Sequence, residues 1–313
     1  MVTGFLITSY AIVANDAIQT LGTFLSSNAK RPWWILWLYA CSILVAVLVY
    51  SWFVNDGDVS YGRIEIIPFS DRLTGIYLVS PIALLLLTQL GIPVSTTFLI
   101  LTVFSPKALA PMLTKSLFGY VVAFLVSLIV YKFITNFLET KFIKLSEEGI
   151  PPSPQWVILQ WISTGFLWSQ WLIQDLVNIF VYLPRNLSLL WLSFSILLML
   201  LLHAYIFYRS GGAIQKIVTS KTNTTDIRSA TMIDFIYGMI LLFFKELSKI
   251  PMSTTWVFLG LLAGREIAMT LNFQAQPMKE TRNVIAGDIF KAFLGLAISI
   301  ILATFLNSIK GVS

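Results

Sequence analysis

Two carboxylates and two hydroxyl triplets are the residues of this chain whose types and spacing could do chemistry. Asn15-Asp16 is followed, well down the chain, by Ser95 of Pro93-Val94-Ser95-Thr96-Thr97. Gln174-Asp175 is followed, at nearly the same spacing, by Ser253 of Pro251-Met252-Ser253-Thr254-Thr255. The aspartates, with the neutral oxygens of Asn15, Gln19, Gln174 and Asn178 close by, form the kind of ligand set that hard cations such as sodium favour. Pro93 and Pro251 interrupt any preceding helix, and Ser95 and Ser253 are good N-caps for a new one. A helix that starts there exposes free amides, which attract anions, and the three hydroxyls add donors. Two such starts would enclose a small oxyanion, with cations or protons between it and the carboxylates.

The elements that must position these groups are membrane spans. Of 313 residues, 57% are hydrophobic and only 12% charged, and the mean hydropathy is +0.81. A chain so poor in charge and rich in aromatics has the bilayer as its main solvent. Apolar runs long enough to cross lie near 33–54, 117–135, 188–208 and 284–308, with a longer one at 156–184. Two interrupted runs, 73–104 and 231–263, carry the triplets, and residues 1–26 form a weaker span diluted by Asn15, Asp16, Gln19 and Thr20. An ionised aspartate at the centre of a span costs ~2.5–3.5 kcal/mol on insertion scales. Asp16 and Asp175 therefore belong in a polar cavity, facing a cation, a proton or each other.

Several function classes are disfavoured. The first residues carry neither a basic stretch nor a cleavage site, so no signal peptide is expected. The single cysteine, Cys41, permits no disulfide and no cysteine metal centre within one chain. The net charge of +6 is scattered over short loops rather than gathered for nucleic acid. There is no metal-ligand cluster, serine–histidine pair or phosphate-loop motif, so an enzyme is not expected.

The offset from Asp16 to Asp175 almost equals the offset from Ser95 to Ser253. The chain thus divides into a first repeat, 1–140, a linker, 141–155, and a second repeat, 156–313, within one membrane domain. Residues 55–72 hold Asp56, Asp58, Glu65 and Asp71 against Arg63 and Arg72, whereas 209–230 hold Arg209, Lys216, Lys221 and Arg228 against Asp226. Basic residues mark the cytoplasmic side, so the first loop reads as external and the second as cytoplasmic, along with Lys30-Arg31, Lys132, Lys141, Lys144 and the linker. The repeats are then inverted, with both termini outside. The expected fold is an all-α polytopic membrane protein in which two inverted-topology repeats, each with a broken or re-entrant helix, meet at a midplane site.

Other embedded groups receive plainer readings. Trp33, Trp34, Trp37, Trp156 and Trp161 mark headgroup level. His203 is read as a satisfied contact between helices, Asp288 and Lys291 as a pair sharing a helix face, and Arg265-Glu266 as an ion pair. Asp234 is read as lining the second hairpin, and Gly260 and Gly264 as close helix packing. Lys245, Glu246 and Lys249 precede the second triplet, where a cytoplasmic mouth is expected.

At the aspartate and triplet motifs the sequence resembles the inorganic phosphate transporter (PiT) family, which includes sulfate-transporting relatives. That family carries a duplicated G-A-N-D-V-A-N type motif and a duplicated P-V-S-T-T-H type motif. Ala14-Asn15-Asp16-Ala17-Ile18-Gln19 is similar to the first, Gln174-Asp175-Leu176-Val177-Asn178 to its repeat, and the two proline-led triplets to the second pair. Departures are Gln19 and Gln174 for asparagines, Phe98 and Trp256 for the histidine after each triplet, and Val181-Tyr182 where glycine and proline usually follow. The resemblance implies a secondary transporter of phosphate, driven by sodium or protons, in a homodimer in the plasma (inner) membrane. It places the anion between Asp16, Ser95, Thr96, Thr97, Asp175, Ser253, Thr254 and Thr255. Cations would be held by Asn15, Asp16, Gln19, Gln174, Asp175 and Asn178, with sodium as the only metal implied and no cofactor. Sulfate as substrate, or a non-transporting scaffold built on the same fold, are the alternatives.

Overall fold

Inside lipid every backbone amide and carbonyl must find its partner within the protein, and a chain this apolar does so by forming helices. In the computed structural model the described residues are 2–68, 75–89, 94–134, 138, 141–142, 144–145, 148–212, 215, 226–273 and 278–310, and among them there is no strand. Pro93, Asp71, Arg72, Glu147, Lys216 and Lys221 lie outside the described residues. The chain opens with α1 (Val2–Ile12), a π-helical turn (Val13–Ala17) and α2 (Ile18–Ser27). It is followed by α3 (Trp33–Val54), α4 (Val79–Gln89), α5 (Thr96–Phe104) and α6 (Leu109–Ile129). The second half comprises α7 (Pro154–Phe180), α8 (Leu189–Tyr208), α9 (Ile227–Leu247), α10 (Thr254–Phe273) and α11 (Met278–Lys310).

Among the described residues, five stretches are long and apolar enough to cross a membrane: Trp33–Val54, Pro106–Phe133, Leu189–Tyr208, Ile227–Leu247 and Met278–Leu306. The second of these begins earlier than the apolar run at 117–135, and the two embedded polar groups it takes in are satisfied inside the protein. Lys115 donates to the carbonyls of Ser248 and Ile250, and Ser116 to that of Met112. Large apolar side chains such as Phe53, Leu190, Leu201, Phe290 and Ile301 point outward, as an integral membrane protein requires.

The broken helices are unequal. In the first half α4 and α5 are short, whereas α9 and α10 are each about full span length, separated by residues 248–253. Each final helix packs on the broken helix of the other half: α6 lies along α10, and α11 lies along α5. Glycines permit both contacts. A Cβ on Gly260 or Gly264 would collide with the α6 backbone at Tyr120 and Phe124, and one on Gly295 would stand 2.9 Å from Val94. The same halves also join through α3 against α8 and through α2 against α7 and α9.

The bundle has two distinct ends. At one, residues 55–68 interlock with 181–188: Trp52 donates to the Leu187 carbonyl at 2.7 Å, the Leu187 amide to Gly57, and Arg185 to Ile67. At the other, Asn28 donates to Gln160 at 2.9 Å and Gln215 to the Gly22 carbonyl.

Candidate functional site

Asp16 sits in the π-helical turn, buried along with Asn15 and Ala17. Such turns loosen the regular ladder and occur often at functional sites. Here the Thr20 hydroxyl takes the Asp16 carbonyl at 3.0 Å, four residues back, leaving the side chains of Asn15 and Asp16 to face inward. Asn15 donates to one Asp16 carboxylate oxygen at 2.8 Å, and Gln19 donates to Asn15 at 3.0 Å. The second carboxylate arises without a π turn. Asp175 and Asn178 lie three apart on one face of the unbroken α7, and Asn178 donates to Asp175 at 2.8 Å.

Both triplets start helices. The Ser95 hydroxyl accepts the Phe98 amide at 3.2 Å, and the Ser253 hydroxyl accepts the Trp256 amide at 3.3 Å. These are N-caps, and the threonines behind them stand in the first turn, where the amides have no helical acceptor. All six triplet residues are buried, Ser95 being the most exposed at 5%.

The two halves then exchange partners. The Asp16 carboxyl group is flanked by the hydroxyls of Thr96, from its own half, and Thr255, from the other. The Asp175 carboxyl group is flanked by Thr254, from its own half, and Thr97, from the other. Backbone contacts repeat the exchange, since Thr97 donates to the Met252 carbonyl at 3.1 Å and Thr255 to the Val94 carbonyl at 3.5 Å. Asn178 reaches Thr97 at 3.2 Å and Thr96 at 3.4 Å, and Asn15 reaches the Val94 carbonyl at 3.4 Å. Phe98 and Trp256, which follow the triplets, meet edge to face with ring centres 5.5 Å apart.

Electrostatically this centre is short of donors. One carboxylate oxygen of Asp16, one of Asp175 and the amide oxygen of Asn178 are buried with no hydrogen-bond partner among the described residues, and the two carboxylates lie within reach of each other's charge. Acceptors gathered at a buried point suit a cation or a proton, since unpaired charge in low dielectric is costly. The amides and hydroxyls of the two helix starts supply the complementary donors for an anion.

Other residues have further partners. Gln174 donates through its amide nitrogen to the Leu241 carbonyl at 3.0 Å and so ties α7 to α9. His203 bonds the Met199 carbonyl of its own helix and packs on Trp168, so the bond it makes there is not one between helices. Trp37 and Trp161 are half-buried and donate to Leu200 and Asn28, serving as ties between helices as well as boundary markers. Arg265 and Glu266 do pair, at 3.5 Å. Lys249 stands against Gly62, at the end formed by residues 55–68. The mouth expected at Lys245–Lys249 therefore belongs with the first loop rather than opposite it, because α9 runs the full depth of the bundle before the break.

Three polar groups carry more than the sequence reading assigned to them. Asp234 accepts from Thr23 and Thr164, each at 2.5 Å, joining α9 to both α2 and α7. Arg63, read only as a loop charge, is 3% exposed, and Lys115 is 7% exposed. Neither carries a signal in sequence: Lys115 stands just before the apolar run at 117–135, and Arg63 in a loop.

Neither a protein-family model nor a curated protein sequence matches the chain. Among solved structures, one described as "The sodium-dependent phosphate transporter" is similar in fold, with a TM-score of 0.61 over 97% of this chain and 95% of that one, at 14% identity.

Proposed function

We propose that this protein is a secondary active transporter of a small inorganic oxyanion, phosphate first, coupled to sodium or protons. The observation that carries the reading is the exchange of partners between the halves at the two aspartates: Thr97 donates to the Met252 carbonyl, Thr255 to the Val94 carbonyl, and Asn178, bonded to Asp175, also reaches Thr96 and Thr97. A ligand bound among these groups touches both halves at once, so its binding and release can be tied to their relative movement. The fold's likeness to a structure described as a sodium-dependent phosphate transporter supports the same direction.

The chemistry follows from charge balance. Two carboxylates and a tetrahedral dianion repel when brought together in low dielectric. Cations or protons on the unpartnered oxygens of Asp16, Asp175 and Asn178 remove that repulsion, so anion and coupling ion bind better together than apart. Asn15, and Gln19 through it, orient the first carboxylate, while the amides and hydroxyls behind Ser95 and Ser253 hold the anion. We take the halves, 1–140 and 156–313, to be inverted repeats with both termini outside, a cytoplasmic linker at 141–155, and assembly as a homodimer in the plasma (inner) membrane. The reciprocal packing of α6 on α10 and of α11 on α5 supports that inversion.

Proteoliposome uptake of labelled phosphate, with and without a sodium or proton gradient, tests the reading. Gradient-driven uptake, lost in Asp16→Asn, is the expected result. Suppression by excess sulfate would widen the substrate to tetrahedral oxyanions generally. No uptake of either anion under any gradient would leave the scaffold reading in its place.

A further inference from the structure

We propose that Arg63, with Lys249 at its rim, forms a second oxyanion-binding site, an antechamber that receives the tetrahedral anion before it reaches the two triplets. The inference rests on the transport reading and adds a residue with a defined task to it.

The loop is built to bury this arginine. Asp58 accepts the Ser60 amide at 2.7 Å, the Ser60 hydroxyl at 2.6 Å and the Gly62 amide at 2.6 Å, so both of its carboxylate oxygens are committed to knotting the loop. Tyr61 and Gly62 then take left-handed conformations, with φ of 58° and 74°, and a short 3-10 turn, Arg63–Ile66, carries the arginine inward. Tyr61 anchors the knot by donating to the Val47 carbonyl.

Inside, the guanidinium has no structural partner on its working edge among the described residues. Nε and Nη2 of Arg63 are buried and unbonded. Those two nitrogens form the fork that grips a carboxylate or phosphate side-on. The same edge of Arg228 shows the satisfied form, with Nε 2.9 Å and Nη2 2.6 Å from the two oxygens of Asp226. A fork left open in a protein interior is unfavourable unless a ligand closes it.

The surroundings are graded from rim to core. Lys249 is exposed and lies over Gly62, where any Cβ would stand 2.6 Å from its ammonium nitrogen, so the missing side chain lets this lysine settle on the loop that carries Arg63. Lys115, inside, gives two protons to the carbonyls of Ser248 and Ile250, at 2.9 and 2.8 Å, and so fixes the break that precedes the second triplet. Burial lowers the pKa of Arg63 from its ordinary value, while the charges of Asp175, first, and Glu246 oppose that shift. Asp175 is thus the core carboxylate that feels the arginine. An anion held at Arg63 would share a loop with the exposed lysine and lie within electrostatic reach of Asp175.

The test combines uptake kinetics with calorimetric binding of inorganic phosphate to purified, monodisperse protein. Arg63→Lys keeps the charge and loses the fork, and is expected to raise KM for phosphate about tenfold, with the maximal rate within about twofold. Arg63→Gln should raise KM further, and Lys249→Gln should raise it only at low salt, as an exposed steering charge does. Asp16→Asn, dead in uptake, should still bind phosphate by calorimetry, and Asp16→Asn combined with Arg63→Gln should not. Unchanged KM in both Arg63 variants overturns the antechamber and leaves the transporter standing. A wild-type protein that binds phosphate through Arg63 yet never transports it overturns the transporter and keeps the site; neither binding nor uptake overturns both.

Discussion

At the scale of single residues, each aspartate of the central pair has one oxygen bonded to an asparagine and one left over. Replacing either by asparagine keeps the shape and removes the charge that a coupling cation or proton must meet. Asp16→Asn and Asp175→Asn are each expected to lower gradient-driven uptake at least about a hundredfold while leaving thermal unfolding in detergent nearly unchanged, because charge-assisted contacts of this kind exceed about 2 kcal/mol when made. Near wild-type uptake in either variant would remove that carboxylate from the proposed site. Asp234 makes the opposite case. Both of its oxygens are satisfied, by Thr23 and Thr164, so it acts as a tie between helices. Asp234→Asn is expected to lower stability by about 2 kcal/mol, read as an earlier unfolding transition. An unchanged transition would show that this tie carries little of the packing.

At the scale of elements, the helix pairs across the two halves depend on residues that lack a side chain. Gly260 and Gly264 present α10 directly to the α6 backbone. An alanine at either position must push the helices apart or distort them, at an expected cost of about 1–3 kcal/mol. Gly287, on α11, has open space around its Cβ position, so Gly287→Ala should leave the unfolding temperature unchanged or raise it. Equal behaviour of all three variants would contradict the packing described. Much of this scale was legible in the sequence. Helix punctuation by Pro251 and the serine caps at Ser95 and Ser253 follow from local chemistry, and the matched spacing of aspartate and triplet pointed to the four motifs that the fold brings together. The π turn at Val13–Ala17 was not legible, since Asp175, its counterpart, manages the same display from a regular helix. Nor were the duties of Gln174, Lys115 and Arg63. Gln174 and Lys115 find their partners at Leu241, Ser248 and Ile250, and Arg63 is felt by Asp175; pattern along the chain carries no signal across such separations.

At the scale of the molecule, the two ends differ in access to the centre. Loops 55–68 and 181–188 cover one end and bury Arg63. At the other, a pocket of about 180 Å³ is lined by Thr88, Gln89, Arg209 and Gly211 and extends to Tyr10 and Ala14, next to Asn15. The ends are opposite because α4 starts beside Tyr77, which accepts from Tyr182, and finishes at Gln89 in that pocket. If the halves are inverted in a bilayer, Glu65 and Gln89, both exposed, face opposite solutions. The single cysteine, Cys41, is buried, so Cys41→Ala provides a background free of thiols. In that background Glu65→Cys should react with a membrane-impermeant maleimide from outside intact cells, and Gln89→Cys only after the membrane is opened. On the transport reading, phosphate with the coupling ion should change the Gln89→Cys rate severalfold, because alternating access would close the pocket over Ala14 once the centre is loaded. Labelling of both positions from one side would sink the inverted arrangement, and a Gln89→Cys rate indifferent to phosphate would detach the pocket from transport.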